Sequence, residues 1–449
     1  MKEKEYITRE IEHLCLDRMK TGLITAIIGA RQVGKTTTLM KLKEIVSAEG
    51  IVPEERIFYY SFDDPILRAE LNRDFRFIEK EIEKLTGESL LKLKNPIFLI
   101  LDEAQKSPVI FDWLKIIYDK YPKEIKIIIS GSSALGIKGK STESLSGRIT
   151  FLKLHPLILK ELVCQLTNVT LPDPLWRSLP QKKIKDFLFS RQTLLYKHKN
   201  TLESLLEKIF IEGCLPGVYT AKSLDDKLIR LSSMVSTYLE RDIRASGEVG
   251  NLDDYSNLLK TVSFEIGSIF NISSISSDLG IAYNTVKKYV SILKDTFILN
   301  PLSPLFSRAR KKVVKSNKMY FFDIGIANFL AKRTEKEHIR NIGGFLFENI
   351  LLKSFESDNE NRPAPKPFYF WRNYEGREID LVIEHSPRQY IPVEIYLGKS
   401  FPREKVRNYC AFFEKFKDTQ FGILIYRGDV KEEKITGKPI YLIPWWLWF

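Results

Sequence analysis

The first third of the chain alternates short apolar runs with amphipathic stretches, the pattern of a parallel sheet flanked by helices. Its apolar runs predict strands at Leu23–Ile28, Arg56–Ser61, Ile97–Leu101 and Ile125–Ser130, with Ile149–Leu154 as a fifth. From Val163 to Thr201 the character changes: prolines, polar and basic residues mix as in a loop or an inserted arm. Helical periodicity resumes from about Leu202 to Glu248. A compact mixed segment runs on to Lys318, and a shorter helix-and-strand pattern closes the chain. The closing IYLIPWWLWF reads as a final strand packing aromatic rings, with a partner-docking tail as the alternative.

Length and composition narrow the classes. At roughly 150 residues per domain, 449 residues suggest about three domains, and 44% hydrophobic with 28% charged residues is ordinary globular usage. The net charge of +13 permits an acidic partner such as nucleic acid without requiring one. Cys15, Cys164, Cys214 and Cys410 form no CxxC pair, which argues against a cysteine-based zinc site or a disulfide framework. The longest uncharged run is about a dozen residues, short of the ~20 a membrane helix needs. The charged start, MKEKEYITREIEH, lacks the apolar stretch of a signal peptide. The expectation is a soluble cytoplasmic protein with no membrane partner.

The strongest motif follows the first predicted strand. Gly29, Ala30, Arg31, Gln32, Val33, Gly34, Lys35 and Thr36 fit GxxxxGK[ST], and Thr37 continues into a helical pattern. The glycines let the backbone turn so that successive N–H groups face phosphates, and the helix start adds its positive end. Lys35 would touch the β- and γ-phosphates of ATP, and the Thr36 hydroxyl would ligate Mg²⁺. Ile97–Leu101 then ends in Asp102 and Glu103, at the strand end where open α/β sheets place ligands. Asp102 would hold Mg²⁺ through its water shell, and Glu103 would polarise the attacking water. Ser132, after the apolar strand Ile125–Ser130, would sense the γ-phosphate or the water, or else cap a helix. Arg148, on the glycine-bearing Leu145–Arg148 loop, would reach phosphate in its own or a neighbouring subunit, or is a surface arginine. Asp63 and Asp64, at another strand end, receive no role.

GARQVGKTTTL, LILDEAQ, ISGSS and LSGRITFLKLHPLILKEL, with STYLERDI, KMYFFDIGI, FLFENIL and FYFWRNYEGREIDLVIE, resemble the AAA-type ATPases with a C-terminal DUF4143 domain. The resemblance spans most of the chain except the Val163–Thr201 arm. It implies an α/β fold: an ASCE-class P-loop core over 1–160, an inserted arm and helical lid over 161–250, a winged-helix-like segment over 251–318, and a restriction-endonuclease-like domain over 319–449. Carried over, the ATP site is Gly29 to Thr37 with Asp102, Glu103 and Ser132; Arg148 and Arg241 match recurrent positions without fixed duties.

Ile272–Leu293 has helix-turn-helix spacing. Ile275, Leu279, Val286, Val290 and Leu293 form the inward faces and Gly280 makes the turn. Tyr283, Asn284, Lys287 and Lys288 then point outward, able to touch bases and phosphates. Residues 308–318 hold six basic residues and no acid, where a wing would lie. DNA contact would explain both, and an inter-domain adaptor with a solvated basic loop explains them equally. In the last segment Glu348, Asp380 and Glu394 look like the metal-holding carboxylates of PD-(D/E)XK nucleases. There a lysine stands two residues past the Glu; this chain has Tyr396, whose phenol supplies no positive charge. Lys399 is the nearest substitute, so the choices are an active nuclease, a degenerate fold kept for binding or assembly, or a different fold. The functional expectation is a Mg²⁺-dependent ATPase coupling nucleotide state to DNA. The alternative is a nucleotide-controlled switch or scaffold for protein partners, and a homo-oligomer suits either.

Overall fold

The computed structural model describes residues 6–120, 124–131, 144–179, 184–237, 250–305 and 317–449. They form two compact units: Thr8–Pro156 with Asp295–Phe297, and the remainder. The segments expected as separate lid, winged-helix-like and C-terminal domains therefore share one unit. Arg241 and Ser132 lie outside the described residues, as do the basic positions of the 308–318 run other than Lys318.

In the first unit the five expected strands form: β1 (Ile24–Ile28), β2 (Ile57–Ser61), β3 (Ile97–Asp102), β4 (Ile125–Gly131) and β5 (Ile149–Lys153). They make one sheet in the order β2-β3-β4-β1-β5, with every pairing parallel. β1 and β3 are buried at every position, because helices cover both faces of a parallel sheet. The helix Lys35–Ala48 turns Leu39, Leu42 and Val46 inward at helical spacing, and the helix Val109–Lys120 buries Ile110, Trp113, Leu114 and Ile117. Because all strands run the same way, the residues after β1, β3 and β4 gather at one edge. β4 stands between β1 and β3, so a glycine-bearing loop and an acidic strand end flank its tip.

The second unit begins helical. The Val163–Thr201 stretch is no loop: it carries the helix Ile184–Leu195, with Ile184, Leu188 and Leu195 buried. Trp176, within the same stretch, meets Phe368 edge-on at 5.6 Å. Its few inward residues are diluted by prolines and lysines, which hid the periodicity. The helices Ile272–Leu279 and Tyr283–Asp295 flank Gly280, whose φ of 66° makes the expected turn. Ile275, Val286, Val290 and Leu293 are buried and Leu279 half-buried, while Tyr283, Asn284, Lys287 and Lys288 are exposed. An antiparallel pair follows, β6 (Leu299–Leu302) with β7 (Lys318–Phe321).

The chain ends in a six-stranded mixed sheet of β8 (Phe368–Arg372), β9 (Glu378–Ser386), β10 (Gln389–Ile395), β11 (Gly422–Tyr426), β12 (Lys431–Ile435) and β13 (Lys438–Pro444). Its order is β12-β13-β11-β10-β9-β8. The helix Gly343–Glu360 precedes it, and the helix Arg403–Lys415 makes the crossover between the parallel β10 and β11. The closing run is a strand only as far as Pro444; Trp445–Leu447 form a 3-10 turn after it, and Trp445, Trp446, Trp448 and Phe449 are buried, with Trp448 4.9 Å from Phe355.

Candidate nucleotide-binding site

The loop after β1 is shaped by its backbone. A Cβ at Gly29 would collide with the Leu154 carbonyl oxygen, and Gly34 sits at φ 97°, where a side chain is strained. Gln32 also takes a positive φ, 60°. The helix starts at Lys35 with no side-chain cap, so its positive end faces the loop. Lys35 is buried and its Nζ donates to the carbonyls of Gly29 (3.1 Å) and Ala30 (3.0 Å), curling over the loop. Thr36 and Thr37 stand exposed beside it.

The acidic end of β3 meets this loop directly. Thr36 Oγ1 donates to Asp102 Oδ2 at 2.7 Å, and Tyr59 OH donates to the same oxygen at 2.9 Å. The other oxygen, Oδ1, accepts from Ser130 Oγ and from Glu103 N at 3.1 Å. Burial and the neighbouring Asp102 push the Tyr59 phenol well up, so it stays a donor. Glu103 adopts φ 55° and its Oε2 accepts from Gln105 Nε2 at 2.5 Å. An alcohol and a carboxylate side by side, beneath a helix N-terminus and an ammonium, are the hard-oxygen and cationic groups that suit magnesium and phosphate.

Arg9 was not anticipated. Only 3% exposed, it donates to the carbonyls of Val33 (2.9 Å) and His155 (2.6 Å), tying the loop to the residues after β5. Nothing in its helical neighbourhood signals this, whereas Ser130 and Gln105 lie inside the motifs that marked the site. Arg148 is corrected only in the reading within its own subunit. It immediately precedes β5, and Ile149 pairs with Ile24 at the start of β1, so it lies at the opposite edge of the sheet from the loop. Its guanidinium forks onto Asp119 at 2.7 and 3.1 Å, and the structure does not bring it to the pocket within this chain.

In the second unit the nuclease-like carboxylates are all buried. Glu348 Oε1 accepts from Lys318 Nζ (2.9 Å) and Tyr320 OH (2.5 Å); Lys318 also pairs with Glu378 (2.5 Å). Lys318, 3% exposed, is therefore no part of a solvated basic wing. Lys405 Nζ lies 2.9 Å from Asp380 Oδ2 and 2.6 Å from Glu394 Oε2. Burial presses the Asp380 carboxyl upward, but Lys405 and Lys318 outweigh it and hold it down at about 2. Burial pushes Glu394 well up despite Lys405. Among the described residues no three His, Cys, Asp or Glu side chains are placed to share one ion, which corrects the expectation that Glu348, Asp380 and Glu394 do so.

A parallel sheet whose first strand runs into a glycine-bearing loop, a lysine-led helix and a facing acidic strand end defines the P-loop class. Family models agree. Residues 21–163 match one described as an AAA domain, and residues 343–448 and 203–337 match two domains of unknown function, DUF4143 and DUF8612. The chain thus carries an AAA-type P-loop domain over residues 21–163 and a DUF4143 domain over residues 343–448. An uncharacterized protein of Mycobacterium tuberculosis is 24% identical over 374 residues, 82% of this chain and 69% of its own. One of Haemophilus influenzae is 23% identical over 437 residues, 95% of each. The solved AMPPCP-bound DnaA from Aquifex aeolicus is 14% identical, covering 65% of this chain and 90% of its own, at a TM-score of 0.25 that carries no argument. Among the described residues no helix is long and apolar enough to cross a membrane.

Proposed function

We propose that the chain binds ATP with Mg²⁺ at Gly29–Thr37 and hydrolyses it, coupling nucleotide state to DNA. The observation that carries the site is the 2.7 Å hydrogen bond from Thr36 to Asp102, which joins the loop to the acidic strand. Thr36 and Asp102 would hold the Mg²⁺, which when bound supplies positive charge against the phosphates. Lys35 would exchange its two loop carbonyls for phosphate oxygens, a trade of neutral acceptors for charged ones. Glu103 would orient the attacking water and accept its proton, and Tyr59 and Ser130 would keep Asp102 aimed at the loop. The DNA partner rests on the exposed Tyr283, Asn284, Lys287 and Lys288 of a helix-turn-helix that leads into a β-hairpin, read as a winged helix, and on the net charge of +13.

A second reading, a nucleotide-controlled switch or scaffold with slow turnover and a degenerate nuclease fold, is favoured by the Gln105 amide held on Glu103. ATP turnover with and without duplex DNA, for the parent, Lys35→Ala and Glu103→Gln, separates the two. Glu103→Gln is expected to keep nucleotide binding and lose hydrolysis, and Lys35→Ala to lose both. DNA stimulation of the parent supports the first reading; none, with a nucleotide-dependent change in assembly, supports the second. A parent without nucleotide binding ends both.

A further inference from the structure

Four carboxylates, Glu348 of the helix Gly343–Glu360 with Glu378, Asp380 and Glu394 of the sheet, are matched by the buried Lys318 and the half-buried Lys405 of the same chain. Lys318 bridges Glu348 and Glu378, and Lys405 bridges Asp380 and Glu394. The surrounding acceptor sites are taken as well. Ile395 N donates to Asp380 Oδ2 at 2.8 Å, Asn408 Nδ2 to Glu394 Oε1 at 2.8 Å, and Tyr320 OH to Glu348. A divalent ion held by Asp380 and Glu394 would need carboxylate oxygens that face each other, at about 2.0–2.6 Å from the ion. Those oxygens, Asp380 Oδ2 and Glu394 Oε2, both point at Lys405 Nζ. The residues present do not fit the metal that the nuclease resemblance implies.

We infer that Lys405 is the resident cation of this site, built into the helix Arg403–Lys415, and that the Asp380–Lys405–Glu394 bridge fastens that helix to β9 and β10 in place of a divalent ion. The lysine missing at Tyr396 is supplied eleven residues after Glu394 from a different element, and its ammonium neutralises the carboxylates instead of activating water. The site gives no Mg²⁺- or Mn²⁺-dependent cleavage of phosphodiesters. It is a latent metal site: a carboxylate pair this buried is strongly destabilised without a cation, so removing the ammonium turns it into a ligand pair. This inference is independent of the ATP reading.

Mn²⁺ titration of the full chain without nucleotide, followed by electron paramagnetic resonance, tests it. Any weak Mn²⁺ uptake at Thr36 and Asp102 is common to all variants and cancels. The parent and Asp380→Asn are expected to bind Mn²⁺ alike, and neither nicks plasmid DNA. Lys405→Ala is expected to gain one tight ion that the Lys405→Ala/Asp380→Asn double variant loses. Mn²⁺ taken up by the parent and lost in Asp380→Asn overturns the inference, as does a folded Lys405→Ala that gains nothing. Should Lys405→Ala fail to fold, the comparison of parent with Asp380→Asn still decides, because only a resident metal makes the two differ.

Discussion

Thr36 and Asp102 lie 66 residues apart and are joined by one 2.7 Å hydrogen bond. The hydroxyl proton points at the carboxylate, so the Thr36 oxygen keeps its lone pairs turned outward. If both act only through the metal, removing either partner should leave metal-free nucleotide binding within about twofold of the parent. The Mg²⁺-dependent gain in affinity should disappear from both Thr36→Ala and Asp102→Asn. Because they act on one ion, the double variant should be no worse than the worse single, a non-additivity of about 1–3 kcal/mol. Calorimetry with and without Mg²⁺ reads this, and additive losses would separate the two residues.

Arg9 holds the loop from behind. Its guanidinium reaches Val33 and His155 at once, a span that suits a planar fork and not a single ammonium. Arg9→Ala strands buried carbonyls and should cost about 2–4 kcal/mol of stability. Arg9→Lys should restore the charge but recover under half of that loss, with nucleotide affinity falling in step. Thermal unfolding paired with nucleotide titration checks both, and full rescue by lysine would leave only the charge as the active feature.

The sheet was legible because β1, β3 and β4 are dominated by apolar residues, interrupted only by Thr25 in β1 and Lys126 in β4 before the polar strand ends, as a strand buried on both faces requires. Asp102 and Glu103 were legible because a carboxylate after such a run has to lie at the ligand edge. For Arg148 the glycine-bearing loop alone leaves its own pocket, a neighbour's and the surface all open; it precedes its strand, and in an all-parallel sheet that is the far edge. Tyr59, Ser130 and Lys405 depend on strand register or on a helix crossing over, which local periodicity does not encode. The helix within Val163–Thr201 was hidden because a few buried residues sufficed to dock it.

Arg148→Ala is the direct check of the Arg148 placement. With its guanidinium forked on Asp119 away from the loop, the substitution should leave nucleotide affinity and basal turnover within about twofold. Measured in dilute protein, a tenfold loss would contradict the placement. A loss that appears only as protein concentration rises would show the arginine acting on a neighbouring copy.

Asp323 caps the helix Ile324–Leu330, accepting from Cys214 N at 2.6 Å and Ile326 N at 3.2 Å. Burial pushes its carboxyl up to about 6, against the backbone donors that pull it down. The folded state therefore holds a proton over a range where the unfolded chain, near pH 3.8, has released it. This contribution to stability is present below about pH 4 and is lost as pH rises through about 6, about 3 kcal/mol in all. Asp323→Asn cannot titrate, so the melting temperature of the parent relative to the variant should fall between those pH values. A difference that stays flat, or rises, would mean that the donors already hold the carboxylate charged.

Lys287 and Lys288 are exposed on the second helix of the helix-turn-helix, whereas Lys318, at the end of the neighbouring basic run, is buried on Glu348 and Glu378. If duplex DNA lies along this face, each phosphate-contacting lysine releases about 0.9 counterion. Lys287→Ala/Lys288→Ala should then flatten the slope of log K against log salt by up to about 1.8, and Lys311→Ala/Lys312→Ala/Lys315→Ala by up to about 2.7. Lys318→Met should leave the slope alone and lower stability, because it strands the buried Glu348 and the half-buried Glu378. Fluorescence anisotropy across a salt series, with unfolding followed in parallel, distinguishes these cases. Slopes unchanged in both the double and the triple variant would remove DNA from this face and leave the exposed residues to a protein partner.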